Sequence, residues 1–189
     1  MKHESSTTAV ALHQCRPAKS AVIDRRYSRA VQFVVTACIC ALMTFCAWAG
    51  WKPGDKLPNL TDMGLEGALP ALQGKVVLID FWASWCGPCR HSFPVMAELQ
   101  KTYGSRGLVV LTINVDDERS AMEDFLKKTP AAFAVVRDAK HKVVAEADVP
   151  TMPASFLVDR AGVIRFIHKG FDPGKARPQY IREIEELLK

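Results

Sequence analysis

Val76-Val77-Leu78-Ile79-Asp80-Phe81-Trp82-Ala83-Ser84-Trp85-Cys86-Gly87-Pro88-Cys89 decides the reading of this chain. The stretch from Val76 to Phe81 is a run of β-formers, apolar except for Asp80, and has the character of a strand covered on both faces. Arg90 to Gln100 follows with helical periodicity. Cys86 and Cys89 therefore stand where a strand passes into a helix, and a helix from about Cys86 to Tyr103 is expected. Two thiols spaced in this way can close and reopen a disulfide within one turn. The first of them feels the unpaired N–H groups and positive dipole end of the helix, which favours its thiolate. A C-x-x-C pair at such a junction is a redox signature.

Two other readings of the pair exist. A zinc site needs four ligands, and residues 50–189 add only His91, His141 and His168 to the two sulfurs. A purely structural disulfide closing so short a loop would constrain little of the unfolded chain.

Further along, strand and helix signals alternate. Leu108–Asn114 is a continuous apolar strand, as in a parallel sheet. Arg119–Lys128 is a helix with Met122, Phe125 and Leu126 on one face, ended by Thr129-Pro130. Phe133–Arg137 is a strand and Lys142–Ala147 a helical turn. Asp159-Arg160-Ala161-Gly162 joins strands Ser155–Val158 and Val163–His168 as a hairpin. Pro178 to Lys189 closes the chain as a helix, with proline in its first turn and Tyr180, Ile181, Ile184, Leu187 and Leu188 inward. Upstream, residues 50–75 are rich in Gly and Pro. They form an extended entry segment, with loop that can close as a short hairpin over Thr61–Lys75. The fold class is α/β, a central mixed sheet flanked by helices.

The first 49 residues are different. Of the net charge of +5, they supply +4, from Lys2, Arg16, Lys19, Arg25, Arg26 and Arg29 against Glu4 and Asp24. Residues 50–189 are nearly neutral, which argues against a nucleic-acid surface. Arg25, Arg26 and Arg29 precede an uncharged run from Ala30 to Ala49, the pattern of a signal peptide or a single-span membrane anchor. Ala47-Trp48-Ala49 offers small residues for cleavage, whereas the length of the run suits a retained anchor. Either places the remainder outside the cytoplasm. Arg25-Arg26 has poor flanks for a twin-arginine signal, and Phe45 before Cys46 argues against a lipoprotein. Residues 50–189 then keep Cys86 and Cys89 as their only cysteines.

The segment Asp80-Phe81-Trp82-Ala83-Ser84-Trp85-Cys86-Gly87-Pro88-Cys89 resembles the active-site segment of thioredoxins. Thr151-Met152-Pro153-Ala154-Ser155-Phe156-Leu157-Val158-Asp159 resembles their cis-proline segment. With the export leader, Gly74–Leu78 and an insertion at about Asp116–Ala147, the chain is most similar to the TlpA/ResA type of thioredoxin-like protein, over about Lys52 to Lys189. The resemblance implies a thioredoxin-like three-layer sandwich over residues 76–189, with a TlpA-type central insertion. It also implies an extracytoplasmic thiol–disulfide oxidoreductase. Cys86 would be the exposed attacking thiol, Cys89 the resolving thiol, and Asp80 a buried carboxylate moving the proton of Cys89. Trp85, Gly87 and Pro88 complete the motif. Met152 and a cis Pro153 would present the substrate-binding backbone beside an apolar wall at Trp85. Trp82 supports the core, Pro94 kinks the helix, and His91 lies on the surface.

No cofactor and no metal is implied beyond the dithiol. Gly87-Pro88 is the dipeptide of the reductant thioredoxin, so a reductase is expected. Its partners would be exported proteins with disulfides or thiols, including apocytochrome c, and a membrane electron donor of the DsbD/CcdA kind. An oxidase or isomerase is the alternative within the same chemistry; a non-catalytic binding module or chaperone is the alternative outside it. Two residues depart from the relatives. Thr112 stands where thioredoxin has a lysine near the buried carboxylate, and Ser92 stands where ResA-like members carry a glutamate. Asp80 is therefore expected to act alone, with a pKa raised by burial.

Overall fold

A computed structural model of the protein describes residues 50–189. The expected leader, with its signal or anchor and its four cysteines, lies outside the described residues. Five strands form one sheet in the order β3-β2-β1-β4-β5: β1 is Val76–Trp82, β2 Leu108–Asn114, β3 Ala134–Arg137, β4 Ala154–Val158 and β5 Ile164–Lys169. Helix α1 spans Gly87–Tyr103, α2 Arg119–Lys128, α3 Lys142–Glu146 and α4 Pro173–Leu187. Strand β1 runs parallel to β2 and antiparallel to β4, so the sheet is mixed. This is the layered arrangement that the resemblance implies. Residues 116–147 hold α2, β3 and α3, and β3 lengthens the sheet by pairing parallel with β2.

The strand pleat sorts β1 into two cores. Val77, Ile79 and Phe81 pack on one face with Leu111, Ile113, Phe125 and Phe156. Val76 and Leu78 pack on the other with Met96, Leu99, Val110, Leu157, Tyr180 and Ile184. Every residue of β1 is buried, and that explains why its sequence is a run rather than an alternation. Asp80 shares the face of Leu78, so the one carboxylate of the strand points at α1 and α4.

Two expectations need correction. The last helix begins at Pro173, a turn and a half before Pro178. Asp172 caps it, its Oδ1 accepting the Gly174 N–H at 2.9 Å, and Pro173 takes the proline-tolerant first position. Pro178 lies inside the helix on the exposed side, where the Gly174 carbonyl that it leaves unpartnered can meet water. Residues 61–75 form no hairpin. A 3₁₀ turn at Leu60–Met63 leads to a single antiparallel bridge between Glu66 and Arg137.

The entry segment is fastened to the sheet. Lys56 bridges Val163, and backbone bonds join Gly54 and Asp55 to Ile164. Trp51 packs edge-on to Phe156, with ring centroids 5.2 Å apart, and tilted against Phe81 at 6.0 Å. The hairpin turn is built as its sequence suggests: Asp159 Oδ1 accepts the N–H groups of Ala161 and Val163, and Gly162 adopts φ +76°.

Candidate active site

The site forms where β1 ends and α1 begins, at the carboxyl end of the central strand. Cys86 is the N-cap of α1, and its Sγ accepts the Cys89 N–H at 3.2 Å. Pro88 sits in the first turn, where its missing N–H costs no helical bond. Cys86 and Cys89 are joined as a disulfide, with S–S 2.03 Å. Cys86 is 4% exposed and Cys89 fully buried. The order is the expected one, but the degree is not, because in the disulfide form both sulfurs lie within the surface. Gly87 and Pro88 are exposed beside them. Trp85, 73% exposed, is the large apolar side chain that stands clear of the fold.

Asp80 is completely buried. Its Oδ1 accepts the Ser155 hydroxyl at 2.6 Å, and its Oδ2 lies 3.5 Å from Ser92 Oγ. Ser92 Oγ lies closer to the Cys89 carbonyl, to which it donates at 2.9 Å, so this hydroxyl stands between the Cys89 backbone and the carboxylate. Burial pushes the Asp80 pKa up to about 7, with the two serine hydroxyls pulling in the opposite direction. Thr112 pairs with Asp80 across β1 and β2, but its hydroxyl donates to the Ala134 carbonyl at 3.3 Å.

The Met152–Pro153 bond is cis, Pro153 is buried, and Met152 packs against the core cluster that includes Cys86 and Cys89. Pro153 leads directly into β4, which carries Ser155 to Asp80. His91 is exposed. Trp82 is buried and packs on Phe93 and Phe125, at centroid distances of 4.7 and 4.9 Å. Pro94 lies within α1.

Three supporting residues carried no functional expectation. Asp116 holds the loop before the cysteines: its carboxylate accepts the Ser84 N–H at 3.0 and 3.1 Å, the Ser84 hydroxyl at 3.1 Å and the Asn114 amide at 2.8 Å. Ser155 and Tyr180 are buried, and their hydroxyls lie 2.8 Å apart. A serine on the Asp80 face of an otherwise apolar strand was the available signal for Ser155. Tyr180 has the spacing of a core residue, and nothing in its pattern marks the hydroxyl. Among the described residues, no cluster of three His, Cys, Asp or Glu side chains could hold a metal ion, and no helix is long and apolar enough to cross a membrane.

Comparison with known proteins agrees with this chemistry. The redoxin family model matches residues 52–184. The thiol-disulfide oxidoreductase ResA of Bacillus subtilis (strain 168) is 31% identical over 140 residues, covering 69% of this chain and 78% of that protein. A protein from Chlorobium tepidum, assigned as the thiol:disulfide interchange protein DsbE, superposes with TM-score 0.69 at 36% identity, covering 74% of this chain and all of that one. The exposed lipoprotein thioredoxin of Streptococcus pneumoniae strain TIGR4 superposes with TM-score 0.54 at 26% identity, over 61% of this chain and 87% of that one. The chain belongs to the redoxin family, as a thiol–disulfide oxidoreductase of the ResA and DsbE type.

Proposed function

We propose that this protein is an extracytoplasmic protein-disulfide reductase. Cys86 attacks a substrate disulfide, and Cys89 resolves the mixed disulfide after Asp80 has taken its proton. The substrate strand docks against Trp85 and the Met152 backbone. The observation that carries this reading is the Cys86–Cys89 disulfide at the start of α1, with the more exposed sulfur at the N-cap. There the backbone donor and the helix terminus favour the thiolate needed for attack. Asp80 is in turn linked through Ser92 to the backbone of the resolving cysteine.

Export rests on the basic and apolar leader at residues 1–49. Exported proteins with disulfides, including those maturing as c-type cytochromes, are the substrates this reading favours, with a membrane dithiol donor returning the electrons.

Turnover of a protein disulfide by the wild type, Cys86→Ala and Cys89→Ala tests this reading. Both variants should lose turnover, and Cys89→Ala should accumulate a mixed disulfide through Cys86. If both variants retained the wild-type activity, the protein would be a binding module or chaperone.

A further inference from the structure

Cys89 and Asp80 have no surface exposed to solvent, and Cys86 has almost none. A substrate docked on Cys86 closes the front of the site further. The proton that Asp80 takes from Cys89 therefore sits on a carboxyl closed to solvent, and its exchange with water must pass through a group that touches the carboxylate. Two hydroxyls touch the carboxylate. Ser92 Oγ sits at the longer distance and directs its proton to the Cys89 carbonyl, an acceptor that cannot pass a proton on. Ser155 Oγ sits at 2.6 Å and leads, 2.8 Å further, to the Tyr180 hydroxyl. That route is a chain of groups that both donate and accept.

The chain runs away from the cysteines. Tyr180, in α4, lines a groove of about 470 Å³ between α4 and the end of β5, together with His168, Gly170, Lys175 and Gln179. His168, the cross-strand partner of Ser155, packs edge-on to the Tyr180 ring at 4.9 Å, and its Nε2 lies 2.7 Å from Glu183 Oε2. Burial, with the nearby Asp80 charge, holds the Tyr180 phenol far above its ordinary pKa, so it stays a neutral donor. The other groups facing Asp80 are Thr112 from β2 and Ser92 from α1; the cationic Arg90 and the imidazole of His91, also on α1, are exposed.

We propose that Ser155 and Tyr180 form a rear proton path connecting Asp80 to water in the groove between α4 and β5. The inference rests on the reading of Asp80 as the base for Cys89. In the resolving step the Cys89 proton passes to the Asp80 carboxylate, and the Cys89 sulfur attacks Cys86 Sγ. The protein disulfide forms, the mixed disulfide breaks, and the substrate thiolate leaves with the electron pair and takes a proton from water. Two electrons have then passed from the protein dithiol to the substrate disulfide. Asp80 gives its proton to Ser155 Oγ as Ser155 gives its own to Tyr180 and Tyr180 gives its own to water. The carboxylate is restored, and no hydroxyl along the path carries a net charge. Re-reduction runs the same path in reverse and returns a proton to Cys89.

Single-turnover oxidation of the reduced full chain by a disulfide-bonded peptide at pH 8 in H₂O and D₂O, read first as release of the second thiol and then as decay of the protonated Asp80 carboxyl band in the infrared, tests the path. Tyr180→Phe keeps the ring and removes the hydroxyl. The path predicts a fall of threefold or more in the decay rate of that band, with second-thiol release unchanged and a solvent isotope effect on the decay that differs from that of the wild type. Ser155→Ala should behave alike and Ser155→Thr should recover the wild-type rate, a comparison that stands if the tyrosine variant folds poorly. A smaller fall in folded Tyr180→Phe, or a fall with an unchanged isotope effect, would overturn the path. Asp80→Asn separates the two levels: if its second-thiol release is slow while the band in Tyr180→Phe decays at the wild-type rate, only the path fails. If Asp80→Asn matches the wild type, the base assignment fails and the path with it.

Discussion

Asp80 and Thr112 are register partners across β1 and β2, yet the threonine hydroxyl is spent on the Ala134 carbonyl. The carboxylate is thereby left to two serine hydroxyls, in a core closed to solvent. Hydrogen bonds favour the ionised form, burial opposes it, and burial wins: the pKa rises to about 7. This value suits a group that must accept and release a proton near neutral pH.

The same shift makes Asp80 a stability liability. In the unfolded chain an aspartate titrates near about 3.9. Between that pH and about 7 the folded state holds a proton on Asp80 that the unfolded state has lost, so the contribution of Asp80 to stability is most favourable below this window and is lost as pH rises through it. Asp80→Asn should remove the slope and be more stable than the wild type at pH 8, by on the order of 3 kcal/mol. Denaturant unfolding of both oxidised proteins from pH 5 to 8 checks it; parallel pH profiles would contradict it.

Asp116 should matter to the loop rather than to the proton. Its carboxylate gathers the Ser84 backbone and side chain and the Asn114 amide, two residues ahead of Cys86. Asp116→Ala leaves the buried Asn114 amide and the half-buried Ser84 donors unpaired and should cost about 1–3 kcal/mol. It should also slow attack by Cys86 on a small disulfide, while the pH midpoint set by Asp80 stays in place. Unfolding and stopped-flow thiol exchange on the same sample measure the two effects. An unaltered exchange rate would show that the loop does not need this clamp.

The frame of the fold was open to reading because its signals are local. The runs Val76–Trp82 and Leu108–Asn114 are apolar throughout since both faces are covered, and Cys86 with Pro88 announces the start of a helix. The start of α4 was hidden by two prolines, each a fitting first-turn residue. The Asp172 cap, which decides between them, reveals itself only through its bond to Gly174. The docking of Trp51 and Leu60 could not be read from a segment without periodicity, because it depends on which core the chain meets. In the site, the cysteines and Asp80 stood out as chemical exceptions to their surroundings. Ser155 and Tyr180 did not, because a serine in a strand and a tyrosine on an apolar face are ordinary until register brings their oxygens together.

The central claim is that the Cys86–Cys89 dithiol is a reductant. Cys86 Sγ takes a backbone donor from Cys89, while Pro88 has no N–H to give. The thiolate is therefore stabilised less than it would be with a further donor, and a weakly stabilised thiolate makes a weak oxidant. Equilibration of the protein with glutathione buffers, read as the fraction of Cys86–Cys89 disulfide, measures the potential directly. A value closer to the thioredoxin potential of about −270 mV than to the DsbA potential of about −120 mV is expected. A value at or above about −150 mV would contradict the reductase assignment and make the protein a donor of disulfides.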